Sequence, residues 1–331
     1  MTGDDFGFLI CSERSGSNLI ASLLNGHSAV SAPPPSHMFR LFATNAANYG
    51  DLARDDNWRV LVGDVQDAFA HQLGSWNTVP DPDALLAQER RVLAPVAALY
   101  RAEAAHDGAA LAFVKENHTA RFADVLMDQL PGCRFVYMVR DPRDVAASYL
   151  TTDGMPGGVA RGTGVWLADQ VENLALSDRL AETGRLHRLR YEDLLADTPG
   201  RLAGVAAHLG LEYEDRMLEF HRDARTRRNA ARIAAWENLA RPVQATNSGK
   251  YRKVLTEAEV EYVELRCLAP MRALGYAPDI VTAPPADAAA RIAALEPRLR
   301  PGDYRLETEE EAAIRARRLA VIETVRNRRL P

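Results

Sequence analysis

Cysteine is scarce. The 331 residues hold three, Cys11, Cys133 and Cys267. They are scattered, odd in number and without the pairing of zinc sites, so neither a disulfide framework nor a cysteine metal centre is expected. They read as buried free thiols in a reducing compartment. A cationic excess is lacking too: 40 Lys and Arg stand against 45 Asp and Glu, which argues against a dedicated nucleic-acid partner. No apolar run reaches the length of a membrane span. The acidic start, Met1-Thr-Gly-Asp-Asp, lacks the basic head and apolar stretch of a secretory signal. A cytoplasmic protein is therefore expected. Repeats and low-complexity segments are absent as well. The remainder is ordinary globular composition, 47% hydrophobic and 26% charged, enough for one large or two modest domains.

Short apolar runs at 6–11, 110–115 and 134–139 read as strands, Leu186–Arg190 as a fourth, and helical patterns separate them. That alternation predicts an α/β fold, a parallel sheet flanked by helices. Residues 37–107 read as a helical insertion, entered through the Pro-rich segment 31–36 and broken at Asn77–Asp83 by Pro80 and Pro82. A Gly-rich stretch, 154–164, precedes a long helix whose core face is expected to carry Trp166, Leu167, Val171 and Leu174. Arg225–Arg232 reads as a solvated helix face or, failing that, a cationic wall. From Pro284-Pro285 an Ala/Arg/Glu-rich tail is expected to form helices over 286–297 and 307–328, the second capped by Thr308. The boundaries expected are 1–283 for the α/β domain and 284–331 for the tail, a solvated or subunit-packing appendage through which the chain would form a homo-oligomer.

The most informative segment is Phe8-Leu-Ile-Cys-Ser-Glu-Arg14-Ser15-Gly16-Ser17-Asn18, an apolar strand running into a turn and then a helix. Such a turn leaves backbone N–H groups free to hold an anion. Its spacing is that of the loop G-x-x-x-x-G-K-[ST], but Ser17 stands at the Lys position and Asn18 at the Mg²⁺-binding hydroxyl, with Cys11 replacing the first Gly. This loop is poorly equipped for Mg·ATP and still suits a phosphate, with Arg14 supplying charge. A second motif, Arg140-Asp-Pro-Arg-Asp-Val-Ala-Ala-Ser148, leaves a strand for a helix that Pro142 can open. Arg140 and Ser148 frame a spot for a second phosphate, although Asp141 alone could explain the motif as a helix cap. Arg14, Lys115, Arg140 and Tyr191 all lie at strand C-termini, the rim where such sheets bind ligands.

Together the two motifs resemble the nucleotide site of sulfotransferases that use 3′-phosphoadenosine 5′-phosphosulfate (PAPS), over roughly residues 6–276. The resemblance implies a P-loop-like sheet, a 5′-phosphosulfate loop at Arg14, Ser15, Gly16, Ser17 and Asn18, and a 3′-phosphate held by Arg140 and Ser148. It places Tyr191-Glu192-Asp193 near the adenine and a basic loop, Asn247-Ser248-Gly-Lys250-Tyr-Arg252-Lys253, on the nucleotide. Arg14 stands where some members have Lys, and Asn18 where Thr is common. The implied product is adenosine 3′,5′-bisphosphate, and no metal is implied. A general base would take the proton of an acceptor hydroxyl, on a small molecule or glycan. His37 and His118 are the candidates, Glu116 a third, and Lys115 would touch the sulfonate or acceptor. The acceptor pocket is expected from 37–107 and 154–164, with Phe39, Phe42, Trp58 and Trp76. The competing readings are a P-loop-type small-molecule kinase and a non-catalytic nucleotide-binding protein.

Overall fold

The computed structural model describes residues 3–72, 74–152, 155, 157–232, 234–295 and 309–331. Its strands are β1 (Phe6–Ile10), β2 (Val30–Ser31), β3 (Leu111–Lys115), β4 (Arg134–Val139) and β5 (Leu186–Arg190), joined in the order β2-β3-β1-β4-β5 with every pairing parallel. All five residues of β1 are buried, the pattern of a strand covered on both faces. Alternate side chains serve two cores: Phe6, Phe8 and Ile10 enter one, Leu9 the other. Only β2 escapes the sequence pattern, because two residues carry no periodicity.

Helices α1 (Ser17–Asn25), α2 (Met38–Thr44), α3 (Asp55–Ala70), α4 (Pro82–Leu86), α5 (Ala94–His106), α6 (Ala123–Gln129), α7 (Pro142–Thr151) and α8 (Gly158–Leu180) cover the sheet together with α9 (Tyr191–Ala196) and α10 (Thr198–His208). Further on lie α11 (Ala224–Arg232), α12 (Tyr251–Val254), α13 (Glu257–Ala273), α14 (Ala288–Ala294) and α15 (Glu309–Asn327). The C-terminal ends of β1, β3, β4 and β5 meet along one rim.

Several expectations need correction. α8 begins inside the Gly-rich stretch, at Gly158, and Gly154 lies outside the described residues. Its buried face carries Trp166 together with Asp169, Gln170, Asn173 and Ser177, whereas Val171 is 62% exposed. Leu167 and Leu174 do pack against the core, and beside them lies a polar layer in which Gln170 donates to Ser12 and accepts from Tyr137. Phe39, Phe42 and Trp58 are core residues, and Trp76 packs edge-on against Tyr100 and donates to Pro34 C=O. Of the stretch Arg225–Arg232, Arg225 is buried on Glu103 and Asp107 as a structural ion pair, while Arg227 and Arg228 are exposed as expected. All three thiols are free and buried, and burial raises their pKa to about 12, about 11 and about 12 for Cys11, Cys133 and Cys267.

The tail is no loose appendage. α15 packs on α3 and α2, with Val325 fully buried. Arg328 donates twice to the buried Asp64, at 2.9 and 2.7 Å. Asp51 N and Asn57 Nδ2 donate to the C=O of Pro331. α14 is shorter than expected, and Thr308 lies outside the described residues. No helix among the described residues is long and apolar enough to cross a membrane.

Candidate active site

β1 delivers the chain into the loop at 11–16, and α1 starts at Ser17. The turn demands Gly16: its φ is 85°, and a Cβ there would stand 2.4 Å from the Tyr191 ring. Among the described residues no side chain caps α1, so its first-turn N–H groups keep their capacity for an anion. The Ser15 hydroxyl is buried without a partner. These residues form one wall of a groove of about 290 Å³, lined also by Lys115, Asn117, Arg140, Tyr191 and the segment from Trp236 to Asn247.

Arg140 is 7% exposed. Its Nη1 donates to Arg14 C=O at 3.0 Å and its Nη2 to Asn247 C=O at 3.1 Å, while the guanidinium stands 4.6 Å over the Tyr191 ring. The Nε is buried and unpartnered. Asp144 lies 3.6 Å away and spends its oxygens on Gly249 N and Tyr251 N. Asp141 does cap α7, accepting from Arg143 N at 2.9 Å, so capping and cation placement coexist. Ser148, two turns along α7, accepts from Arg14 Nε at 3.0 Å, and Thr152 accepts from Arg14 Nη2 at 3.3 Å. Arg14, Arg140 and Ser148, far apart in sequence, are thus one cluster, with the Arg14 guanidinium drawn toward α7.

The basic loop behaves differently. Asn247 lines the groove and donates to Tyr191 Oη at 2.6 Å. Ser248, Lys250 and Arg252 are not lining residues. Tyr251 turns inward to start α12, so Lys250 is left exposed and Arg252 pairs with Asp279. Sequence reasoning missed Trp236, which lies in a 3₁₀ segment (Ala234–Ala240) with no periodic signal.

A second cavity, of about 360 Å³, opens beside the groove. His37 and His118 both line it, with Arg40, Arg121 and, from the tail, Arg318 and Arg326. Each histidine is oriented by a carboxylate through Nδ1, His37 by Glu116 at 3.2 Å and His118 by Asp169 at 2.9 Å. Burial, then Lys115, Arg40 and Arg318, push the His37 imidazole well below its ordinary pKa. Burial raises the Glu116 carboxyl to about 7 against the pull of Arg40 and Lys115. Burial also lowers the Lys115 ammonium, whose Nζ donates to Asn117 Oδ1 at 3.0 Å.

The backbone singles out the same residues. Among the described residues three non-glycines have positive φ: Arg14 (63°), His37 (61°) and His118 (59°). Such conformations cost of order 1–2 kcal/mol each and gather at functional sites.

A five-stranded parallel sheet with an uncapped loop after its central strand, and a second cationic cluster at the next strand's end, defines an α/β protein with a P-loop-like sheet and a cationic groove at its C-terminal rim. Residues 8–215 match the sulfotransferase family, and the chain belongs to it. The structure is similar to the sulfotransferase domain from the curacin biosynthetic pathway, at 19% identity and TM-score 0.55, over 82% of this chain and 97% of that one. It is also similar to the sulfotransferase domain of the Synechococcus PCC 7002 olefin synthase, at 18% identity and TM-score 0.56, over 82% of this chain and 94% of that one. No curated protein matches the sequence.

Proposed function

We propose that this protein transfers a sulfuryl group from PAPS to the hydroxyl of an acceptor seated in the histidine cavity. The residues fit such a donor: the unpartnered Arg140 Nε and the uncapped start of α1 offer donors at two places in one groove, with the unpartnered Ser15 Oγ buried behind it. Arg140 and Ser148 would hold the 3′-phosphate. Ser15, Gly16, Ser17 and Asn18, with Arg14, would hold the 5′ end, where backbone N–H groups stabilise charge as the sulfuryl group leaves. Trp236 and Tyr191 offer aromatic surface to a base. When bound, the nucleotide supplies an electrophilic sulfur on a good leaving group. The S–O bond to phosphate breaks, a new S–O bond to the acceptor forms, and the acceptor proton goes to this chain. Lys115 lines the groove next to Asn117 and would carry the sulfonate charge.

His37 is assigned as the base. With Glu116 ionised, Nδ1–H donates to the carboxylate and Nε2 is left with its lone pair for the acceptor. The His118–Asp169 pair has the same construction at 2.9 Å and supports a second reading, in which His118 takes the proton. The observation that carries the proposal is the restriction of strained non-glycine backbone to Arg14, His37 and His118 among the described residues.

Transfer of labelled sulfate from PAPS to a hydroxyl panel tests it. A kinase would instead be stabilised against heat by Mg·ATP and not by adenosine 3′,5′-bisphosphate, and a non-catalytic binder would transfer nothing. Either result refutes the proposal.

A further inference from the structure

The histidine cavity is charged in one sense only. No Asp or Glu lines it, while four arginines do. One, Arg121, is engaged by Glu172 at 2.7 Å. Arg318 is half-buried and donates to a neutral group, Ser36 C=O, at 3.2 Å. Arg40 and Arg326 accept side-chain hydrogen bonds at their C=O groups, and among the described residues neither guanidinium has a hydrogen bond or ion pair. Two buried acids lie behind the lining, Glu116 turned to His37 and Asp169 turned to His118. Three guanidinium groups facing one small space repel one another, and a ligand anion removes that cost.

The remaining wall is apolar: Met38, Leu41, Phe122, Val321 and Ile322. A volume of about 360 Å³ suits a small molecule. The donor across the β3 end carries several negative charges of its own. An anionic acceptor would be repelled from it unless the acceptor's charge were met separately, and α15 supplies two of the arginines that can do so.

We infer that the acceptor is a hydroxylated organic anion, its anionic group held by Arg40, Arg318 and Arg326 and its apolar body by Leu41, Phe122 and Ile322. This rests on the sulfuryl-transfer reading above and adds the substrate class. The C-terminal helix is, on this view, a specificity element of the acceptor site. The arginines act on the acceptor and not on the transferred group.

The test is binding of 8-hydroxyoctanoate and its methyl ester, by calorimetry, to the full chain saturated with adenosine 3′,5′-bisphosphate. The acid is expected to bind at least about tenfold tighter than the ester, as charge-assisted contacts require. In Arg318→Gln and in the exposed-site variant Arg326→Gln the preference should fall to within about twofold, with nucleotide affinity unchanged. Equal binding of acid and ester by the unaltered protein, or binding of neither, overturns the inference. So does an arginine variant that weakens both ligands by the same factor, which would show that the arginine does not read the anionic group. Selective acid binding without sulfate transfer from PAPS would instead refute the transfer reading and leave the anion site standing.

Discussion

Truncating Arg140 to Ala separates a phosphate ligand from a loop support. In the structure its Nη1 and Nη2 hold the carbonyls of Arg14 and Asn247, and Tyr191 lies beneath the guanidinium. Asp144 keeps its two backbone donors when Arg140 is gone, so the variant leaves no bare buried carboxylate. Losing a buried cation opposite a phosphate costs about 2–4 kcal/mol, or roughly 30- to 1,000-fold in Kd. The assay compares adenosine 3′,5′-bisphosphate with adenosine 5′-phosphate, which lacks the 3′-phosphate, by calorimetry at a temperature where circular dichroism shows the variant folded. The bisphosphate should lose the full factor and the monophosphate less than about threefold, the size of a lost neutral contact. Arg140→Lys should fall between, since it keeps the charge and loses the fork. Equal losses for both ligands would mean that Arg140 serves only to hold the loop through Arg14 C=O, and the assignment of the 3′-phosphate would be refuted.

Gly16→Ala places a Cβ 2.4 Å from the Tyr191 ring at a φ of 85°; a stability loss of about 1–3 kcal/mol in denaturant titration and weak nucleotide binding are expected. For His37 to act as base Glu116 must be ionised, and its carboxyl is raised to about 7, so kcat/KM should fall as pH drops through about 7. Glu116→Gln, whose amide oxygen can still accept from Nδ1–H, should flatten that limb at a lower plateau, and an unchanged limb would exclude the pair. His37→Ala is expected to abolish turnover while sparing nucleotide affinity, with Asp169→Asn milder; the reverse order would transfer the role to His118. Replacing Arg328 by Ala removes two hydrogen bonds to Asp64 and should lower stability by about 1–3 kcal/mol, read as a shifted denaturation midpoint.

The sheet was largely legible in the sequence because β1, β3 and β4 are buried along nearly their whole length and read as apolar runs, whereas β5 (Leu186-His-Arg-Leu-Arg190) buries only Leu189. β4 and β5 have the bounds their patterns indicate, and β2 is too short to announce itself. Arg14, Arg140 and Ser148 were legible as two motifs, but their contact was not, since Arg14 bridges from one strand end to a helix 134 residues on. α8 was misread for a definite reason: Trp166 is buried, and its helical neighbours toward the rim are Asp169, Gln170 and Asn173. A polar residue on a buried helix face looks like a surface residue in sequence, and so the partner of His118 was hidden. The tail was opaque for the converse reason. An Ala/Arg/Glu helix with few apolar residues looks solvated, yet Val321 and Val325 pack α15 on the core and Arg328, just beyond it, pairs with Asp64.

The two cavities are related by the period of a single strand. Lys115 closes β3 and Asn117 lies two residues on, and both line the groove at the rim. Glu116 and His118 lie between and beyond them, and these serve the histidine cavity, one by orienting His37 and the other directly. Successive side chains of extended backbone point to opposite sides, so the end of β3 separates the two cavities, with Lys115 facing the groove and Glu116 turned to His37. A sulfuryl group passing between donor and acceptor would have to cross at this strand end, where Lys115 is the cation nearest to both sides in sequence. The strain at His118 then has a reason. Turning the chain into the left-handed region directly after the partition ends the alternation and sets the imidazole against Asp169, instead of letting the strand carry it past the cavity.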